Sequence, residues 1–194
     1  MTCTLKDMIA LLEEACKEEE RLLRVHNVTE ENLKTAFAAF QNRRAEINGI
    51  RSLSVSGSLL PAVTGLLEPG SIEEMVLISG STDIHWPFME QYRSLKELTI
   101  RETQTIPESI VKLQSLTFIS LEWNKNLKAL PQSIGSLKNL THLDISGSRS
   151  ISNLPDSIVN LGALEYVNIR GTAIQSVPAS ITGVKNTLTT NAAQ

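Results

Sequence analysis

Ser120, His142 and Asp144 are the residues whose types could do covalent chemistry together, since nucleophilic catalysis chains a hydroxyl, an imidazole and a carboxylate in series. Neighbouring strands could carry all three on one face. A flat sheet surface, however, supplies neither an oxyanion hole nor a pocket that excludes water, so they read as binding groups and the chain as a non-enzyme. His26 and His85, the latter in "DIHWPF", have no second His, Cys or carboxylate at a ligand spacing on a shared element. No glycine loop of the kind that cradles phosphate occurs. No metal and no cofactor is therefore expected.

Recognition by contact suits these residues better. The chain holds only eight aromatic residues (2 Trp, 2 Tyr, 4 Phe), and three of them, Phe118, Trp123 and Tyr166, fall at related places in its second half. Exposed large rings anchor interfaces. Arg101, Glu122, Asp144 and Arg170 surround them with charges of both signs, and His142 adds a polar ring, as at the rim of an interface. The competing reading is that the rings pack on their neighbours and the charges are solvated surface. Which holds depends on the elements that carry them.

Those elements repeat. Aligned on LxxLxL, the chain reads "IRSLSV" from Ile50, "IEEMVL" from Ile72, "LKELTI" from Leu95, "LTFISL" from Leu116, "LTHLDI" from Leu140 and "LEYVNI" from Leu164. The intervals are 22, 23, 21, 24 and 24 residues, the range of a stacked solenoid unit. Prolines keep the same phase, and four of them open "PESI", "PQSI", "PDSI" and "PASI". In "LTHLDI" the residues Leu140, Leu143 and Ile145 are spaced as the inward side of a short strand. In "LPDSIVNL", Pro155 fits the first turn of a 3₁₀ or α-helix, with Ile158 and Leu161 three apart on its buried side. Each unit is thus a strand, a turn and a short helical return.

One such unit cannot fold alone. Ordering each residue costs roughly 1–2 kcal/mol of backbone entropy, while five or six buried aliphatics return about 1.5–3 kcal/mol each. Neighbours must cover both flat sides, and the ends need another cover. Residues 1–48 are expected to supply it as two helices: one from Leu5 to about Arg24 with Met8, Ile9, Leu12 and Ala15 in phase, and one capped by Thr29 with Leu33, Ala36, Phe37 and Phe40. Residues 50–186 form six repeats. Residues 187–194 are a polar tail too short to cap, so the last repeat is expected to be exposed, covered by a partner, continued in a longer parent protein, or paired with a second copy, the last making the chain a structural or dimerising repeat domain.

The "LPxSIxxLxxLxxLxI" consensus resembles leucine-rich repeat proteins of the intracellular class over residues 50–186. It also resembles the repeat domain of type III effectors of plant-pathogenic bacteria, the Xanthomonas outer protein L-like group. The resemblance implies an α/β solenoid of short parallel strands whose concave face binds a protein target. It further implies the substrate- or host-target-binding part of a secreted effector with a ubiquitin-ligase parent. The repeats leave no room for a ligase domain in this chain, and Cys3 and Cys16 lie in the cap. The family's ninth position is usually Asn, but here only Asn124 conforms; Ser58, Gly80, Thr103, Ser148 and Thr172 occupy the others, so a regular asparagine ladder is not expected.

Charge and composition narrow the partners. A net charge of -3, with an acidic excess at the outward strand positions, argues against nucleic acid. No apolar run reaches membrane-spanning length, and the N-terminus has no basic segment followed by an apolar block. Two cysteines, both within the first 20 residues, give no disulfide framework and suit a cytosolic setting, in the host cell if the chain is an effector. The sequons at Asn27 and Asn139 mean little without a secretory route.

Overall fold

The computed structural model describes residues 3–17, 21–78 and 86–181. Helix α1 spans Leu5–Lys17 and buries Met8, Leu12 and Ala15. Thr4 starts it: the Asp7 amide donates to the Thr4 hydroxyl (3.2 Å), while the Asp7 carboxylate accepts from the Thr4 hydroxyl (2.6 Å) and amide (2.8 Å). Helix α2, Glu30–Ala39, begins at Thr29, whose hydroxyl accepts from the Asn32 amide at 3.2 Å.

The first helix does not continue to Arg24. Leu22–Val25 is instead strand β1, in which buried Leu23 and Val25 alternate with exposed Arg24, a two-residue period that a helix cannot bury. Strand β2, Ser52–Ser56, pairs with it in parallel from Leu22↔Ser52 to Val25↔Val55. The backbone groups on the first repeat's outer edge thereby find partners, which helices alone would not have provided. A short helix, α3 (Arg44–Ile47), leads into β2.

Strands β3 (Glu74–Ile78), β4 (Glu97–Arg101), β5 (Phe118–Ser120), β6 (His142–Asp144) and β7 (Tyr166–Asn168) follow. All seven strands form one parallel sheet in chain order. The first, fourth and sixth residues of all six units are at most 8% exposed, so the repeat phase expected from sequence is the phase of the core. Returns differ along the array. The first two repeats use α4 (Leu60–Thr64) and α5 (Trp86–Met89), whereas the others use 3₁₀ turns at Glu108–Lys112, Gln132–Ser136, Asp156–Asn160 and Ala179–Ile181.

Pro107, Pro131 and Pro155 stand one residue before these turns, in extended backbone (ψ 146–162°), and not within the first turn as the sequence suggests. From there each proline carbonyl accepts the first bond of its turn, from Ile110, Ile134 and Ile158 at 3.0–3.2 Å. Successive turns also lock to one another. The Glu108 carboxylate accepts the amides of Gln132 (3.0 Å) and Ser133 (2.7 Å); the Ser133 hydroxyl first, then the Ser133 and Gln132 amides, hold it below the usual carboxylate range. Gly135 lies so close to the next turn that a Cβ there would fall 2.0 Å from the Ser157 carbonyl oxygen.

The ninth position is a partial ladder. Asn124 is fully buried, donates to the Ile100 carbonyl and accepts from the Thr103 amide, both at 2.8 Å. One repeat later the Ser148 hydroxyl makes the same two bonds, donating to Leu121 O (2.7 Å) and accepting from Asn124 N (3.0 Å). A serine replaces asparagine here because the hydroxyl, donor and acceptor at once, reaches both groups. Thr172 turns back to its own repeat, bonding Ile169 O at 2.7 Å. Among the described residues no helix is long and apolar enough to cross a membrane.

Candidate functional site

The concave sheet face sorts the expected site residues into two groups. Register places Phe118, His142 and Tyr166 side by side at the starts of β5, β6 and β7. Their half-buried rings form a row: Phe118 to His142 is 6.1 Å between centroids, and His142 to Tyr166 is 5.6 Å with the planes 27° apart. The second pair is stacked and the first tilted by 35°, both within the range of favourable ring–ring contact. His142 is therefore the middle of the ring row. Its Nδ1 lies 2.9 Å from the Thr141 hydroxyl, and that hydroxyl is 2.9 Å from the Thr117 carbonyl.

Trp123 belongs elsewhere. It sits five residues after Phe118, up to roughly 16 Å away along extended chain. It is 63% exposed. Its backbone is left-handed (φ 60°), as is that of Glu102 (φ 60°), Gly147 (φ 71°) and Gly171 (φ 72°), the residues at the eighth place of the last four repeats. The turn after each of the last four strands takes this conformation. Glycine takes it freely, whereas a tryptophan bears a penalty of about 1–2 kcal/mol. The ring lies over Gly147, where a Cβ would come within 2.6 Å of Trp123 Cε3.

Arg101, Glu122 and Trp123 line one cleft of about 760 Å³ with Thr99, Ser120 and Lys125. It opens at a seam in the sheet. The β3–β4 pairing runs on to Ile78↔Arg101, but the β4–β5 pairing stops at Thr99↔Ser120. Beyond it, Trp123 donates to Ser146 O (2.8 Å) and Gly147 to Arg170 O (2.7 Å); among the described residues Glu102 makes no equivalent bond to Glu122. Glu122 accepts weakly from the Ser146 hydroxyl at 3.4 Å. Arg170 is exposed at the far end of the face.

Asp144 is turned to the sheet itself, accepting from the Ser146 amide (2.8 Å) and from Asn168 Nδ2 (2.9 Å). It does not bond His142, and Ser120 is only 5% exposed, so the hydroxyl, imidazole and carboxylate do not chain. His26 lies on the cap side, with Nε2 2.8 Å from the Ser54 hydroxyl and Nδ1 3.4 Å from that of Ser56; burial first, then Arg24, pushes its pKa down. His85 and the polar tail lie outside the described residues. Sequence reading places Glu97 at an outward strand position without counting it among the binding residues, and passes over Lys125 and the left-handed eighth position. Gly147 and Gly171 in register with Trp123 were the signal for the last.

No protein-family model and no curated protein sequence matches the chain. Solved structures do. Internalin C2 from Listeria monocytogenes superposes with a TM-score of 0.52 at 16% identity, over 92% of this chain and 89% of that one. The plant peptide hormone receptor RGFR1, in complex with RGF2, gives 0.51 at 24% identity over 70% of this chain. The fold is a leucine-rich repeat solenoid. At these identities the likeness is one of fold, and the chain spans only 23% of the receptor. The leucine-rich repeat domain of the type III effector XopL aligns at 13% identity over 89% of this chain and 76% of that one, with a TM-score of 0.45 that adds nothing to this.

Proposed function

We propose that the chain is a protein-recognition module that binds its target on the concave face of the sheet. One observation carries this reading: the rings of Phe118, His142 and Tyr166 form a continuous row on that face, and Trp123 stands beyond it, largely exposed in a conformation that costs energy. Strained backbone is kept where something else compensates, and an exposed indole has little to gain within its own chain. The RGFR1 receptor, which shares the fold, is in complex with RGF2, in agreement with this.

The finer assignment rests on the "LPxSIxxL" phrases, which resemble the intracellular class. On that ground we assign the module to the target-binding part of a secreted bacterial virulence effector with a ubiquitin-ligase parent, working inside the host cell on a host protein. The test is affinity capture from host-cell lysate with wild type against Trp123→Ala and Tyr166→Ala, followed by titration of each captured protein. Each substitution is expected to weaken binding of the true target by roughly 2 kcal/mol or more, with thermal melts unchanged. Identical capture by all three proteins would remove the recognition surface. Capture that changes only with melting temperature would make the rings scaffold.

A further inference from the structure

The row that holds the rings does not end at Phe118. Register continues it through Glu97 on β4 and Glu74 on β3, so two exposed carboxylates and three rings stand on successive strands. Glu74 accepts one bond, from the Ser52 hydroxyl at 2.7 Å. Among the described residues Glu97 is in no ion pair. The neighbouring cations are both engaged elsewhere, because Lys96 (2.6 Å) and Arg51 (2.8 Å) bind Glu73, whose pKa Lys96 first and then Arg51 lower. Two cations against the three carboxylates Glu73, Glu74 and Glu97 leave one half of the row net negative, and the other half is a row of aromatic rings.

We propose that this row recognises an extended peptide segment that places a lysine or arginine opposite Glu97 and large apolar or aromatic side chains at the second and fourth residues beyond it. The proposal rests on the concave-face reading and names its partner's chemistry. Strands lie about 4.8 Å apart, so Phe118, His142 and Tyr166 follow Glu97 at roughly 5, 10 and 14 Å. Side chains on one face of an extended chain recur every 6.6–6.8 Å or so. A cation over Glu97 thus brings the next same-side residue between Phe118 and His142, and the one after it onto Tyr166. The cation also lies within reach of the Phe118 ring face, where cation–π attraction adds to the charge pairing. A segment with an acidic residue at the first place is repelled by both carboxylates, which makes the strip selective as well as adhesive.

A phage-displayed library of random linear 12-residue peptides, selected on the full chain, tests this. Enrichment of the pattern cation, any, apolar ring or large aliphatic, any, apolar is expected. A selected peptide should lose at least tenfold in affinity for Glu97→Lys and for Tyr166→Ala, both checked for an unchanged melt. Its Arg-to-Glu version should bind Glu97→Lys at least tenfold better than wild type does. Peptides without a cation preference, or indifferent to Glu97→Lys but lost on Phe118→Ala, would overturn the strip and leave the concave-face reading standing. Peptides indifferent to every concave substitution would overturn both, and a selection that enriches nothing would overturn the strip.

Discussion

Trp123 and Gly147 show how one residue's choice constrains another. The left-handed turn after β5 is filled by tryptophan, and its ring occupies the space that any side chain at residue 147 would need. Gly147→Ala adds both a backbone penalty, about 1–2 kcal/mol for a left-handed alanine, and a collision with the indole. In the Trp123→Gly background only the backbone part remains. A double-mutant cycle by denaturant melts should therefore give a coupling of about 1 kcal/mol, and additive losses would mean the ring does not rest on Gly147. Trp123→Gly alone relieves the turn strain and adds roughly 0.5–1 kcal/mol of unfolded-state freedom. It is expected to melt no lower than wild type while losing its target, as a residue retained for binding should.

At the scale of the element, each repeat is held by its inward strand residues and by the bonds its 3₁₀ turn makes to the next. Leu143 is fully buried in the middle of β6. Leu143→Ala should cost about 2–5 kcal/mol because adjacent repeats cannot collapse into the cavity. Val159→Ser, on a return where the side chain is 47% exposed, should stay within about 0.5 kcal/mol. Urea melts of the two proteins check this, and similar losses in both would contradict the assignment of inward and outward positions. The seam between β4 and β5 belongs to this scale as well: a cleft exists there because the bonds that knit the later turns together are not made between Glu102 and Glu122.

For the whole molecule the N-terminal segment is continuous with the array, since β1 extends the sheet and His26 bonds the outward serines of β2. Burial, aided by Arg24, holds the His26 imidazole below its ordinary 6.5 in the folded chain. The folded state then binds fewer protons than the unfolded one, so this contribution to stability is whole above pH 6.5 and is lost as pH falls through the lowered value. Between pH 7.5 and 5.5 the wild type should lose more melting temperature than His26→Asn. Equal losses would show that His26 does not titrate on unfolding.

The sequence by itself determined the period, the inward face and the chemical character of the outward face, because a repeat of 21–24 residues leaves each leucine one place to go. Phe118, His142 and Tyr166 could be assigned to one strand position on that basis alone. Tertiary structure decided what depends on how repeats meet. Leu22–Val25 became a strand because the open edge of β2 needed partners. Trp123 separated from the other rings because its place lies past the strand end, in a turn whose handedness is set by backbone closure. Asp144 turned to the Ser146 amide and to Asn168, a donor supplied by the neighbouring repeat that only the register brings within 2.9 Å. The acidic end of the ring row emerged from charge bookkeeping that only distances permit: Glu73 holds both nearby cations, and Glu74 and Glu97 are left to face outward.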